Sequence, residues 1–182
     1  MTAGPAGAPL DVLVIGGGQA GLAMGYHLAQ RGLRFQIVDA GTEVGHVWRS
    51  RWDSLRLFTP AQYDNLPGLP FPAAPDTYPG KDAVADYLRA YAAKFQLPVR
   101  LSTGVTSLTR GNGTYVAKAA DHSWIDIQEA KDGQGHIAHQ RGVTPAPGLY
   151  MLGLTWQHTR GSALLGWVGS DAAFLAAQIT RR

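Results

Sequence analysis

An α/β fold built on a mostly parallel sheet is predicted by three features of residues 11–39. Asp11-Val-Leu-Val-Ile15 is a short apolar run of the kind a buried parallel strand shows. A glycine turn follows, Gly16-Gly-Gly18-Gln19-Ala20-Gly21, and opens an apolar-periodic helix through Leu22, Gly25, Leu28 and Ala29 as far as Gly32. Phe35-Gln-Ile-Val-Asp39 is then a second buried strand closed by a carboxylate.

Strand, glycine turn, helix, strand and terminal acid are together the contexts of a dinucleotide-binding βαβ unit, so the fold is Rossmann-like. Each glycine has a reason to be there. Gly16 makes the tight turn, Gly18 lets the backbone approach a pyrophosphate, and Gly21 lets helix pack on strand. The helix N-terminus offers free N–H groups and the positive end of its dipole to the phosphates. Asp39 follows Gly16 by 23 residues, about the spacing that reaches a ribose hydroxyl. An acid there argues against a ribose 2′-phosphate. The motif alone leaves nicotinamide and flavin dinucleotides both open.

At 182 residues the chain suits one domain with a small appendage. It is 45% hydrophobic, with 23 Gly and 11 Pro, and has neither the composition of disorder nor a membrane-spanning apolar run. The net charge of +3 comes from scattered Arg and Lys, with no basic stripe, so neither nucleic acid nor membrane is expected as a partner. The absence of cysteine excludes disulfides and thiolate chemistry and, with residues 1–9 lacking the look of a signal peptide, favours a cytoplasmic location.

Residues 40–60 lack a clean period and are rich in Trp and Arg. That suits a ligand-lining loop, although Trp52 and Leu57 equally suit core anchors. Residues 61–80 are broken by proline and cannot form a regular element. Lys81–Phe95 is an amphipathic helix on Val84, Leu88, Tyr91, Ala92 and Phe95. Val99–Leu108 and Thr114–Ala117 are strands joined through a Gly111-Asn-Gly113 turn, the hairpin appendage. Trp124-Ile-Asp-Ile suits a short strand, and Gly148-Leu-Tyr-Met-Leu152 a buried one. A last helix from about Ser162 to Ile179 has its apolar face on Leu164, Val168, Ala172, Leu175 and Ile179. His136 and His139, without further ligands, suit a surface turn better than a metal site. His27 is read as structural, and His158 is the histidine to test for function.

Beyond Val44 the sequence departs from a generic βαβ unit. Gly45-His-Val-Trp48-Arg-Ser-Arg-Trp52, Ser54-Leu-Arg-Leu-Phe-Thr-Pro60, Leu66-Pro-Gly-Leu-Pro-Phe-Pro72 and Trp156-Gln-His-Thr-Arg-Gly-Ser162 resemble the FAD-binding half of flavin-dependent monooxygenases, class B and N-hydroxylating-like. The resemblance covers almost the whole chain. It implies FAD as cofactor and a single FAD-binding domain over 1–182, in an N-terminal segment 1–118 and a C-terminal segment 119–182. It implies Gly16, Gly18, Gln19, Ala20 and Gly21 at the pyrophosphate and Asp39 at the adenosine ribose. Val47, Trp48 and Arg49 would line the cofactor, Val105 would pair with adenine, and Thr59 would lie near the isoalloxazine. Gly153, Gln157 and the Ser162–Ala163 turn would meet the flavin end, with the last helix aimed at the ring. No catalytic residue is assigned.

Such enzymes insert an NADPH-binding domain between the two segments, and this sequence passes directly from one to the other. Gly111-Asn-Gly113 has Val116 at the third glycine position and Gly133-Gln-Gly135 has Ala138. Leu154 stands where many flavoproteins carry an Asp, and Phe58 where Baeyer–Villiger members do. The resulting expectation is a minimal FAD flavoprotein, redox-capable but without its own NAD(P)H site, drawing electrons from a separate reductase or other donor and forming hydrogen peroxide when reduced. A non-redox FAD-dependent cyclase, isomerase or carrier is the alternative, and a plain NAD module a third. A homodimer through Trp167 and Leu165 would cover the uncovered flavin face.

Overall fold

The computed structural model of the chain describes residues 10–119 and 127–181. Its first element, β1 (Val12–Ile15), runs into helix α1 (Gln19–Ala29) and returns as β2 (Phe35–Val38). β2 pairs in parallel with β1, Val12 opposite Phe35 and Ile15 opposite Val38. Its other edge takes β3 (Val99–Arg100), also parallel, so β2 is the centre of a three-stranded sheet. An antiparallel pair, β4 (Val105–Gly111) and β5 (Thr114–Ala119), forms the appendage.

The helices α1, α3 (Lys81–Lys94) and α4 (Val168–Ile179) carry the core. Leu22 and Leu28 of α1, Val84, Leu88 and Tyr91 of α3, and Val168, Ala172 and Leu175 of α4 are all fully buried. At roughly 1.5–3 kcal/mol for each large apolar side chain removed from water, this helical layer dominates the stability. Gly25 lets α1 approach the sheet, since a Cβ there would come within 2.8 Å of Ile37. Val12 and Val14 point toward this layer, and the alternate residues Leu13 and Ile15 are 37% and 48% exposed on the opposite face.

Residues 61–80 hold one short 3₁₀ turn, Ala61–Tyr63, and are otherwise irregular. Tyrosines of α3 fix them. The Tyr87 hydroxyl accepts from Leu66 N–H and donates to the Leu69 carbonyl, each at 2.7 Å. Tyr91 donates to the Pro67 carbonyl at 2.7 Å. Burial pushes the Tyr87 hydroxyl up to about 12, so it stays a donor throughout the physiological range.

Three elements differ from the sequence expectation. The strand expected over Val99–Leu108 is two strands, because Ser102 turns the chain with φ +50 and Ser102 and Thr103 bond back to the Gly41 and Asp39 carbonyls. Gly148–Leu152 is not a strand and makes a single bridge, Val143 to Tyr150, between Gly142 and Gly148, both at positive φ. The last helix begins at Val168, not Ser162. Residues 162–167 are turns, and a Cβ on Gly166 would overlap the Tyr63 carbonyl at 1.6 Å. The strand expected at Trp124 lies largely outside the described residues. Among those described, no helix is long and apolar enough to cross a membrane.

Candidate functional site

The glycine turn is shaped by contacts that only hydrogen permits. Gly16 has φ +106, and a Cβ on Gly21 would lie 1.8 Å from the Gly16 carbonyl oxygen. Gly18 is different: a Cβ there would meet nothing within 4 Å. The protein itself does not require glycine at 18, and the open space is what an approaching phosphate would need. Asp39 sits at the end of β2 beside this turn. Its Oδ2 accepts from Gly17 N–H at 2.5 Å and its Oδ1 from Gly41 N–H at 2.7 Å. The carboxylate therefore ties the first loop to the second.

The next loop reaches the same place through a one-turn helix, α2 (His46–Arg49). Gly45, at φ +88, permits it: a Cβ would come 2.8 Å from Ala85 Cα on α3. From α2, Trp48 Nε1–H donates to Gln19 Oε1 at 3.3 Å. Gln19 Nε2 in turn donates to the Ala163 carbonyl at 3.3 Å. Three distant stretches, two by side chains and Ala163 by its backbone carbonyl, thus meet at the start of α1. Between the glycine turn and the Trp48 loop lies a cleft of about 180 Å³ whose wall includes Gly17, Gly18, Gln19, Asp39, Val47 and Trp48.

Arg49 is not in this wall. It reaches Glu43 at 3.2 Å and Asp86 at 2.5 Å, clamping the loop to α3, and Asp86 helps keep its guanidinium firmly protonated. Arg51, which the motif comparison did not single out, lines the cleft with Glu43 and His46.

The C-terminal segment closes on α1 through Gly153. Its φ is +82 and a Cβ would sit 2.9 Å from Ala20 Cβ. Ser162 is fully buried, and its hydroxyl accepts from His158 and Thr159 N–H at 3.1 and 3.0 Å, so its oxygen organises its own turn. Val105 begins β4, next to Gly104, which lies against Ala40 just past Asp39. Thr59 donates to Asp64 Oδ1 at 2.5 Å, and burial pushes the Asp64 carboxyl above its usual range. Gln157 is buried but lines a different cleft, with His158. Leu165 is buried in the main core, so it cannot serve a dimer contact, whereas Trp167 stacks on Tyr63 with 39% exposure. His136 lies in the turn closed by Asp132, and no three metal-ligating groups come together among the described residues.

Residues 13–153 match the family model of pyridine nucleotide-disulphide oxidoreductases. The chain belongs to that family. The match begins inside β1 and ends at Gly153, so it takes in the glycine turn, Asp39, the Trp48 loop and the residue that seats on Ala20. Two relatives agree with it. An uncharacterized CzcO-like oxidoreductase of Geobacillus kaustophilus is 51% identical over 118 residues, 60% of this chain and 34% of its own length. Indole-3-pyruvate monooxygenase YUCCA1 of Oryza sativa is 39% identical over 82 residues, 44% of this chain and 20% of its own. Among solved structures, a flavin-containing monooxygenase of Stenotrophomonas maltophilia superposes with TM-score 0.59 at 40% identity, over 63% of this chain and 35% of that one. The chain thus spans about a third of the length of these first relatives. OTEMO, solved with FAD and NADP, shares the fold at 22% identity and TM-score 0.51 over 60% of this chain and 22% of its own.

Proposed function

We propose that this family member is a compact FAD-binding flavoprotein whose flavin is redox-competent and is reduced from outside the chain. The observation that carries the reading is the cleft at the start of α1, where Gly18 leaves open space, Gln19 bridges Trp48 to Ala163, and Asp39 stands at the second strand. Gly16, Gly18, Ala20 and Gly21 with the α1 N-terminus would hold the pyrophosphate. Asp39 would exchange one of its backbone partners for a ribose hydroxyl, and Val47 and Trp48 would cover the cofactor. Gly153 and Ala163 carry the C-terminal segment to the same end of α1. Similarity to a flavin-containing monooxygenase at 40% identity supports FAD over NAD.

Between β5 and Ile127 the sequence is too short for another βαβ unit, which takes about 30 residues. A second dinucleotide site therefore has no place at that junction, and a separate reductase or chemical donor would supply electrons. When bound and reduced, FAD supplies a two-electron reductant, which with two protons converts dioxygen to hydrogen peroxide. The chain's own contribution is to bind and orient the cofactor.

Purified chain loaded with FAD, photoreduced and then exposed to air should yield close to one peroxide per flavin. Peroxide well below that stoichiometry, with oxygen appearing in an organic product, would contradict the oxidase-like outcome. Failure to take up FAD at all would remove the cofactor assignment.

A further inference from the structure

A second cleft, of about 720 Å³, shares no lining residue with the first. His139, Arg141, Val143, Gln157, His158 and Phe174 line it. Gln140 and Gln178 complete the wall, and donors of Arg141 and Gln157 lack a partner among the described residues.

Arg141 is held in the left-handed region, at φ +48, by the turn before Gly142. Its Nε–H donates to Asp171 Oδ1 at 3.2 Å, and its guanidinium lies 4.3 Å from the centre of the Phe174 ring. Asp171 is a buried anchor behind it, outside the cleft wall. The guanidinium is thereby fixed on one edge and stacked on one face, while its remaining N–H groups have no partner among the described residues. Gln157 is 5% exposed, and its Oε1 accepts from Leu154 N–H at 3.2 Å, which orients the carboxamide. Its Nε2 is buried with no hydrogen-bond partner. A buried donor left unmet is costly, and a ligand acceptor is one way to meet it. His139 Nδ1 accepts from Gly142 N–H at 3.3 Å, which leaves Nε2 as the N–H of the neutral ring. Phe174 and Val143 add an apolar wall.

We propose that this cleft binds a small organic carboxylate with a planar apolar body. Its oxygens would take the free edge of Arg141 and the Gln157 carboxamide, and its body would lie against Phe174 and Val143. The preoriented donors of Arg141 and Gln157 select an anion, Arg favours the two-oxygen fork of a carboxylate, and the apolar wall favours a carbon body over an inorganic ion. The site does not depend on the dinucleotide reading.

The test is a titration of ¹⁵N-labelled chain with benzoate, acetate, benzamide and inorganic phosphate, read at the Gln157 side-chain amide and His139 Nε2. Benzoate should shift both signals saturably. Acetate should bind about tenfold more weakly for want of the apolar body, and benzamide and phosphate should leave both signals in place. Gln157→Glu keeps the shape and the acceptor for Leu154 but turns the donor into a carboxylate oxygen, and should abolish the benzoate shift. Arg141→Lys keeps a cation beside Asp171, loses the planar fork, and should weaken benzoate at least about tenfold; His139 Nε2 reports binding in either variant. No saturable shift with benzoate in the folded protein would overturn the proposal, as would phosphate or benzamide binding as well as benzoate, or either folded variant binding benzoate undiminished.

Discussion

Gln19 and Ala163 stand 144 residues apart in the sequence and 3.3 Å apart in the structure, joined by a hydrogen bond from the Gln19 carboxamide to the Ala163 carbonyl. The same carboxamide accepts from Trp48, so one side chain on the first turn of α1 fastens both the loop that walls the cleft and the C-terminal turn at Ala163. Its removal is the most direct perturbation of the site's architecture. Gln19→Leu preserves length and bulk and deletes both bonds. A loss of about 1–3 kcal/mol in urea unfolding is expected from two hydrogen bonds, together with weaker FAD uptake. An unchanged unfolding midpoint would mean that the loops are held by packing alone.

The glycines separate folding from binding. Gly18→Ala puts a methyl into open space at ordinary φ, so the protein should fold with stability within about 1 kcal/mol of the parent and lose FAD affinity by tenfold or more. Gly21→Ala drives a Cβ into the Gly16 carbonyl and should compromise the βαβ unit itself, seen as loss of cooperative thermal unfolding. Equal FAD affinity in Gly18→Ala and the parent would show that no phosphate approaches there.

Asp171 is buried against the partly exposed Arg141. Arg141→Leu should destabilise the chain by up to about 3 kcal/mol in denaturant unfolding, since a buried carboxylate is left without its cation. Arg141→Leu with Asp171→Leu should recover most of that loss. A double variant no better than the single one would place the cost in the altered turn at Arg141, not in the orphaned charge.

Asp64 gives a pH signature. Burial raises its folded-state pKa, while the Thr59 hydroxyl opposes the shift, so the folded state binds the proton more tightly than the unfolded chain does. The resulting stability is fully present below the unfolded value of about 3.9 and is lost as pH rises through the higher folded value. Urea unfolding at a series of pH values should therefore show the parent losing ground to Asp64→Asn as pH rises across that window. A constant difference between the two proteins would mean that the pKa is unshifted.

Much of this was legible in the sequence because local chemistry fixed it. The first βαβ unit and the α3 helix follow from short-range periodicity, and the hairpin from its Gly111-Asn-Gly113 turn, although its first strand begins at Val105 and not at Val99. The C-terminal segment was harder. Gly148–Leu152 has a strand's composition, but positive-φ glycines on both of the segments it bridges leave only one bridge. Residues 162–167 have a helix's composition, yet Gly166 yields to the Tyr63 carbonyl, a contact across about a hundred residues that no local pattern records. At the site, the motif located Gly18, Gln19, Asp39 and Trp48 around one cleft. It could not show that Arg49 turns to Asp86 while Arg51 faces the cleft, because neighbouring arginines on one short turn differ only in which partners tertiary packing offers them.

The proposed flavoprotein binds FAD and takes no hydride from a nicotinamide site of its own. An anaerobic visible spectrum of the FAD-loaded protein, before and after addition of NADPH, tests this most directly. The expected result is a yellow protein whose flavin band persists with NADPH and bleaches with dithionite. Rapid bleaching by NADPH alone would contradict the account, because it would require a nicotinamide site within the chain.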